Sequence, residues 1–477
     1  MTLDIHKFFQ ATNPSNTLAV ENEEDRKYYI DFSSVRGGKL IEELKDNITF
    51  FSPDAPTCEL FTGHIGCGKS TELLRLKAEL QQEGFHVVYF ESSQDLEMGD
   101  VDIGDIMLAI ARRVSESLDR LKKVEIAEPK GLKNLLRGAA KLLQTEIELS
   151  AEGTFPGIGK VAASTEGKFS AEVGIPGIGQ VTASDKEGVS LVALGIGKIT
   201  AKAKNSPELR SKLREYLEPR TTGILEAING ELLEPAKEKL KQQGFKGLVV
   251  IVDNLDRVQS TKKQWGRPQP EYLFVDRGEQ LRQLKCHVIY TMPLALMFSN
   301  DLNELTNRFG INPKVLPMVP VKLRDGSQYA EGMALLRQMV LARAFPNVEP
   351  QQRLSLIPEI FDTPETLDRL CFVSGGHVRE LLRLLNDWIK KYRTPPLYRE
   401  GLEDAIRAKR NQMTKAIDDK EWELLRQVQE RKQVSGDEGY QVLIRSMFVY
   451  EYCDRDGSWF EINPILAEAD KLKPAEG

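Results

Sequence analysis

One nonapeptide near the amino terminus constrains this chain more than any other feature. Residues 63–71 read Gly-His-Ile-Gly-Cys-Gly-Lys-Ser-Thr and match the pattern GxxxxGK[ST]. An apolar run at residues 58–61 precedes it, and residues 71–76 follow with apolar side chains at helical spacing. This succession predicts a strand, a glycine-rich turn and the first turn of a helix, which is the context in which the pattern binds phosphate.

The predicted turn has the chemistry of a phosphate site. Glycines allow backbone N–H groups to curl around phosphate oxygens, and the following helix adds the positive end of its dipole. We expect Lys69 to reach the β- and γ-phosphates, Ser70 to bind Mg²⁺ and Thr71 to supply a second hydroxyl. A glycine-rich turn without a ligand is the alternative. The other predicted nucleotide-binding residues of the loop are Gly63, His64, Ile65, Gly66, Cys67 and Gly68.

Composition limits the cellular setting and the partners. The 477 residues suggest about three domains. The sequence has no uninterrupted apolar run of about 18 residues and no signal-peptide pattern, so we expect a cytoplasmic protein and no membrane partner. A net charge of −6 argues against attraction of nucleic acid to the whole surface. Two basic stretches, residues 120–141 and 198–214, lack aromatic residues, which favours solvated helix faces over a nucleic-acid groove.

A second motif lies at residues 247–253, a buried-strand run that ends in Asp253. An acid at this place holds Mg²⁺ through water in ATPases of this kind. The next residue is Asn254 rather than the glutamate that often orients the attacking water, so Asp256 is the better candidate for that role. A local salt-bridged turn is the alternative for Asp256. If Asp256 does not reach the water, turnover will be slow and the protein will act as a nucleotide switch.

Further strand patterns complete a doubly wound α/β sheet. They lie at residues 85–90, 287–290 and 315–321, and with the two strands already described they make five, separated by helical patterns. Ligands of such sheets bind at the carboxyl ends of the strands. Thr291, at the end of its strand, is therefore a candidate to sense the γ-phosphate.

The order of these motifs resembles the AAA+ and STAND branch of P-loop ATPases. The Asp-Asn-Leu-Asp-Arg sequence from Asp253 is similar to the family's Walker B motif, and residues 374–382 are similar to the Gly-Gly-x-x-Arg helix start of its lid. The resemblance implies that Arg379 touches the γ-phosphate and that residues 28–37, including Arg36, grip the adenine. By analogy, Arg308 would be an intersubunit arginine finger; for both Arg379 and Arg308 a solvent-exposed arginine is the alternative.

An internal repeat interrupts the ATPase pattern. Residues 150–169 and 170–189 are identical at ten of twenty positions, and a shortened third copy follows at residues 194–202. Alternating small and polar residues around Pro-Gly-Ile-Gly corners predict an antiparallel β-meander. Because its edges would be open, we expect residues 150–204 to form a homo-oligomer or protein-partner surface. A disordered linker and membrane-inserted hairpins are the alternatives. The flanking stretches, residues 102–123, 132–149 and 207–243, have helical patterns that suit a stalk or ordinary core packing.

The carboxyl-terminal pattern is two helices followed by a hairpin around Asp454–Gly457, which predicts a winged helix. Acidic residues at the putative turn favour a protein contact or autoinhibition over DNA binding. The whole pattern predicts a three-layer P-loop NTPase core with a lid, an inserted β-repeat and a winged helix, divided at residues 1–127, 128–205, 206–322, 323–415 and 416–477. The expected function is an ATP- and Mg²⁺-dependent switch. A DNA-associated regulator or loader and a non-hydrolysing scaffold remain alternatives.

Overall fold

A five-stranded parallel β-sheet organises the first two-thirds of the chain. The computed structural model describes residues 3–121, 126–127, 129–143, 189–204, 206–263 and 265–473. The strands run parallel in the order β2-β3-β4-β1-β5, so the mixed α/β class predicted from the sequence is confirmed. Their bounds are β1 Cys58–Gly63, β2 His86–Glu91, β3 Leu248–Asp253, β4 His287–Thr291 and β5 Lys314–Leu316.

Burial and register of the strands set the edge at which a ligand can approach. β1, β3 and β4 are buried along their whole length, as expected for central parallel strands. The register places Glu91 beside Asp253 at the carboxyl ends of β2 and β3. β5 is shorter than the predicted run of residues 315–321 and ends at Leu316, because Pro317 has no N–H to donate to a neighbouring strand.

Helices cover both faces of the sheet. The helix Lys69–Gln82 covers one face with Leu73, Leu76 and Leu80, which are buried in a core shared with β2 and β3. The helix Ile103–Arg120 packs into the core on the other face. The other helical segments before and between the strands are Ile5–Ala11, Glu23–Arg26, Ser33–Val35, Leu40–Asp46, Asn47–Phe51, Ser92–Asp95, Lys130–Leu142, Val189–Lys204, Pro207–Leu217, Glu218–Arg220, Thr221–Ala227, Ile228–Leu233, Glu234–Gln242, Leu255–Arg257, Gln269–Glu271, Tyr272–Asp276, Gly278–Arg282, Leu294–Phe298 and Leu302–Phe309.

The third copy of the repeat is helical, and the prediction of β-structure there is wrong. Residues 194–202 lie inside the helix Val189–Lys204. Ile196, Ile199 and Ala203 are buried in the core beside the sheet. Their spacing of three and four residues puts them on one helix face, and burying that face outweighs the alternation that suggested a strand.

The helices on either side of the repeat belong to the same core. Ile103–Arg120, Lys130–Leu142 and Pro207–Leu217 confirm the helical patterns predicted there. All three contribute buried side chains to the core that also contains β2 and β3. The described part of this region is therefore packed against the sheet rather than forming a separate stalk. Residues 150–188, which hold nearly all of the two longer copies, lie outside the described residues.

A second core consists of helices and follows the sheet along the chain. The amino-terminal helix Ile5–Ala11 joins it, because Phe8 is fully buried there and the Asn386 side chain donates a hydrogen bond to the Phe9 carbonyl (3.2 Å). This region corresponds to the predicted lid. Its helical segments are Ala330–Ala344, Pro350–Arg353, Leu354–Glu359, Pro364–Val373, Val378–Tyr392 and Arg399–Thr414.

The carboxyl-terminal region contains the predicted two helices and hairpin. The helices are Asp419–Arg431 and Glu438–Arg445, and the antiparallel strands are β6 (Val449–Asp454) and β7 (Gly457–Ile462). Short helical turns follow at residues 464–467 and 470–472. The hairpin packs against the sheet rather than projecting from it, because its tyrosines share a core with the helix that follows β1.

Across the described ranges, no helix combines the length and the apolar character that crossing a membrane requires.

Candidate functional site

The turn between β1 and its helix has a backbone that only glycine adopts without strain. Gly63 and Gly66 have φ angles of +150° and +92°. A Cβ at Gly63 would lie 2.5 Å from the Leu316 carbonyl oxygen, and one at Gly66 would lie 2.8 Å from the His377 ring. The glycines of the sequence pattern are therefore required by the packing of β5 and of a lid helix against the turn.

The turn presents unused hydrogen-bond donors to a cleft. Within the described part of the chain, the N–H groups of Gly68, Lys69, Ser70 and Thr71 donate to no protein acceptor. These groups lie at the start of a 14-residue helix, whose amino terminus carries partial positive charge. Residues 65–71 all line the cleft. This arrangement is suited to binding an anion such as a phosphate.

Lys69 is buried and points back into its own turn. Its ammonium group donates to the carbonyls of Gly63 (2.7 Å) and His64 (2.9 Å) and pairs with Asp256 at 2.9 Å. Burial has the largest single effect and lowers the pKa of Lys69, but the charge and hydrogen bond of Asp256, together with Cys67 and Asp253, outweigh burial and the pKa is raised. Asp256 is also buried, and its Oδ1 atom has no hydrogen-bond partner in the described chain. A phosphate that bound Lys69 would have to compete with Asp256.

Asp253 and Ser70, the two predicted magnesium ligands, are linked by a residue that the sequence reasoning missed. Tyr89 of β2 donates to Asp253 Oδ2 at 2.7 Å and interacts with the Ser70 hydroxyl. Burial and the nearby Asp253 charge raise the pKa of Tyr89, which keeps its proton. Tyr89 and Glu91 lie two residues apart at the end of β2 and therefore on the same face of the strand. Two polar side chains on one face at the end of this strand were the sequence feature that could have identified Tyr89 as a site residue.

Three arginines stand around the turn with different roles. Arg36 is buried and donates to the Cys67 carbonyl at 2.8 Å, so it braces the loop. Arg379 lines the cleft, and its backbone N–H donates to the Gly66 carbonyl at 3.2 Å. Burial, and next the charges of Arg257 and Arg383, lower the pKa of Arg379. Arg257 also lines the cleft, so two guanidinium groups face it from opposite elements.

Both the lid and the hairpin contact the turn directly. The His377 ring hydrogen-bonds the Ile65 carbonyl at 2.8 Å, and the backbone N–H of Glu451 in β6 donates to His64 Nε2 at 2.9 Å. Burial, followed by the charge of His377, holds the pKa of His64 well below its usual value, so His64 remains neutral and can accept this bond. His64 is therefore a link between the loop and the hairpin rather than part of the cleft wall.

Four predicted residues do not line the cleft: Gly63, His64, Thr291 and Arg308. Thr291 is fully buried and accepts a hydrogen bond from the Leu255 N–H (2.9 Å), so its hydroxyl braces the segment that follows β3. Arg308 lies on the helix Leu302–Phe309 and pairs with Glu304 on the same helix. As an arginine finger between subunits, Arg308 remains a prediction.

The cleft continues away from the glycine turn, between the amino-terminal segment and the lid. The space between its walls is about 850 Å³, counting the part that is open to solvent. Aromatic and aliphatic side chains dominate this second part, and one arginine of the lid, Arg343, is buried there. The lining residues beyond the phosphate turn include Leu18, Tyr28, Ile30, Phe32, Met339, Arg343, Val378 and Leu382.

The residues around the turn fit Mg²⁺ only together with a phosphate ligand. No group of three or more His, Cys, Asp and Glu side chains in the described residues could hold a metal by itself. Mg²⁺ commonly uses one or two protein ligands, several waters and substrate phosphates. Ser70 and Asp253, joined through Tyr89, would supply such a pair.

Comparisons with known proteins leave the family open. No family model matches this sequence, and a search of curated proteins finds no significant match.

Proposed function

We propose that this chain binds and hydrolyses ATP with Mg²⁺ and works as a nucleotide-dependent switch of the AAA+/STAND type of P-loop NTPase. One observation carries the proposal: free N–H donors, Lys69 and the acids Asp253 and Asp256 converge on one cleft at the carboxyl ends of β1 and β3. The strand order, with β3 and β4 on one side of β1 and β5 on the other, supports it. In this interpretation the carboxyl-terminal helices and hairpin are a winged helix.

The proposed chemistry uses an exchange of partners at Lys69. Phosphate oxygens would replace Asp256 as its acceptor, while Ser70 and Asp253 hold Mg²⁺ against the phosphates. The metal supplies charge neutralisation in the transition state. Asp256, released from Lys69, is then free to orient the attacking water and accept its proton. Arg257 and Arg379 would stabilise charge on the γ-phosphate from two sides.

Hydrogen bonds that join the glycine turn to the lid and to the hairpin support the switch. His377 and Arg379 of the lid and Glu451 of the hairpin are each hydrogen-bonded to residues 64–66. A nucleotide that reshaped the turn would alter three contacts to two other regions at once. A change in assembly then follows when those regions separate from the sheet.

Turnover and mass measured together test this function. We expect slow, Mg²⁺-dependent release of phosphate from ATP by the full chain. We also expect light scattering to give different masses with ATP and with ADP. Phosphate release without any change in mass would support ATP hydrolysis but contradict the proposed switch. No phosphate release combined with tight ATP binding would favour the scaffold alternative, which Asn254 and the Lys69–Asp256 pair already motivate.

A DNA-associated regulator is the weaker candidate. The hairpin turns its tyrosines inward, where Tyr450 and Tyr452 are buried, and Asp454 pairs with Arg324 at its tip. These contacts engage the hairpin within the chain rather than leaving a basic wing free for phosphates. Salt-sensitive binding to duplex DNA would reverse this ranking.

A further inference from the structure

The part of the cleft beyond the phosphate turn contains one buried cation. Arg343 lies in the last turn of the helix Ala330–Ala344 and is 5% exposed. Tyr28 and Phe32 of the amino-terminal segment and Met339 of the same helix line the cleft with it. Burying a guanidinium among such side chains is costly unless its donors find acceptors.

Only some of the N–H donors of the Arg343 guanidinium have an acceptor within the described part of the protein. Nη1 donates to the Met339 carbonyl at 3.0 Å. Nε is buried and has no hydrogen-bond partner, and no carboxylate of the described residues pairs with Arg343. Nε–H and the adjacent Nη2–H point the same way in a guanidinium, so they form a fork that suits acceptors in the plane of a ligand.

Arg343 stands apart from the charges that surround the phosphate turn. Burial lowers the pKa of Arg379 most, followed by the charges of Arg257 and Arg383. Burial lowers the pKa of Arg343 to about 10, and Tyr28 partly opposes this. Tyr28 belongs to the amino-terminal segment, so the titratable group that affects Arg343 lies in that segment rather than on the glycine turn.

We propose that Arg343 recognises the purine base, donating from its free Nε–Nη2 edge to an acceptor atom of the ring system. The aromatic and aliphatic walls would hold the two ring faces. This inference rests on the proposed function and deepens it, because it assigns base recognition to the lid. A bound base would then supply the acceptor that a lid arginine lacks, which favours the closed arrangement of lid and amino-terminal segment.

Arg343→Met tests the inference, with Arg353→Met as a matched control. Arg353 is also a buried lid arginine (6% exposed) whose Nε has no partner, but it does not line the cleft. Calorimetry should measure Mg-ATP and inorganic tripolyphosphate for each protein. We expect Arg343→Met to weaken ATP binding by roughly 30-fold, the effect of one charge-assisted hydrogen bond. Tripolyphosphate affinity should be unchanged, and Arg353→Met should bind both ligands as the wild type does.

Base analogues keep the test decisive if Arg343→Met does not fold. Wild-type protein is titrated with 1-deaza-, 3-deaza- and 7-deaza-ATP, each of which lacks one ring acceptor. We expect one analogue to bind about 30-fold more weakly than ATP. In a folded Arg343→Met protein, that analogue and ATP should bind equally.

The outcomes separate this inference from the proposed function. Equal binding of ATP and all three analogues by the wild type would overturn the role of Arg343 while leaving an ATP site intact. Tighter binding of GTP than ATP, lost in Arg343→Met, would support the role of Arg343 and correct the proposed nucleotide. Absence of all nucleotide binding would overturn both.

Discussion

The two ends of the cleft are built in opposite ways. At the phosphate end, the key groups come from two short stretches of sequence, and Lys69 already has three protein acceptors. At the other end, the walls come from the amino-terminal segment and two lid helices, and Arg343 has a free donor edge. The proposed phosphate site is therefore encoded locally, whereas the proposed base site depends on distant segments packing together. A ligand must displace a partner at one end and supply a partner at the other.

Replacing Lys69 should have the largest effect, a loss of ATP binding at the glycine turn. Lys69→Ala removes the only ammonium group in the cleft lining of the described chain. We expect affinity for Mg-ATP to fall by roughly 1000-fold, because several charge-assisted hydrogen bonds are lost together. Calorimetry provides the measurement, and Lys77→Ala on the same helix, where Lys77 pairs with Glu21, is the control. Undiminished affinity in Lys69→Ala would place the triphosphate elsewhere.

Replacing Asp253 should affect turnover more than binding. Asp253→Ala removes the proposed metal ligand and an acceptor for Tyr89. Since a metal ion contributes several kcal/mol of transition-state stabilisation, we expect phosphate release to fall by roughly 1000-fold. ATP affinity measured in the presence of a chelator should match that of the wild type. A variant that hydrolyses ATP normally with Mg²⁺ would show that Asp253 is not a metal ligand.

Replacing Asp256 tests whether its ion pair with Lys69 competes with ATP binding. Asp256→Asn keeps the size of the side chain but removes its charge from Lys69. We expect ATP to bind at least as tightly as to the wild type, with phosphate release slower by roughly 100-fold because the general base is lost. Glu91→Gln is the matched control, since Glu91 is aligned with Asp253 at the end of the neighbouring strand. Loss of turnover in Glu91→Gln, with normal turnover in Asp256→Asn, would indicate that Glu91 of β2 is the general base instead.

The last prediction concerns the pH dependence of folding stability through Glu451 in β6 of the hairpin, with no expected effect on nucleotide binding. Burial raises the pKa of Glu451 to about 7, with Ser458 donating to one oxygen and the other unpaired. The folded protein therefore keeps a proton that the unfolded chain loses at lower pH. Stability should be highest below the unfolded pKa and should fall by about 3 kcal/mol as pH rises to 7.

Denaturant unfolding across this pH range measures that effect. Glu451→Gln cannot titrate, so its stability should change less than the wild type's by the same amount. Identical pH profiles for the two proteins would mean that Glu451 is not the group responsible.

The sequence predicted features that arise from neighbouring residues. The glycine turn, the strands β1 to β4 and the terminal helices and hairpin follow from patterns within short windows. The shortened β5 follows from Pro317, whose effect the apolar pattern around it concealed. The third repeat copy was misassigned because small residues satisfy both strand and helix spacing, and burial beside the sheet favoured the helix.

Contacts between distant residues could not be predicted in the same way. Tyr89 and Asp253 are 164 positions apart, and their hydrogen bond depends on the order of β2 and β3 in the sheet. Arg343 reads as an ordinary arginine near the end of a helix. Its role depends on the amino-terminal segment covering it, which no pattern within the helix indicates.

Calorimetric titration of the full chain with Mg-ATP tests the central claim most directly. The account predicts saturable binding of one ATP per chain, lost in Lys69→Ala and retained in Lys77→Ala. Heat that never saturates, or equal binding by the wild type and Lys69→Ala, would contradict it.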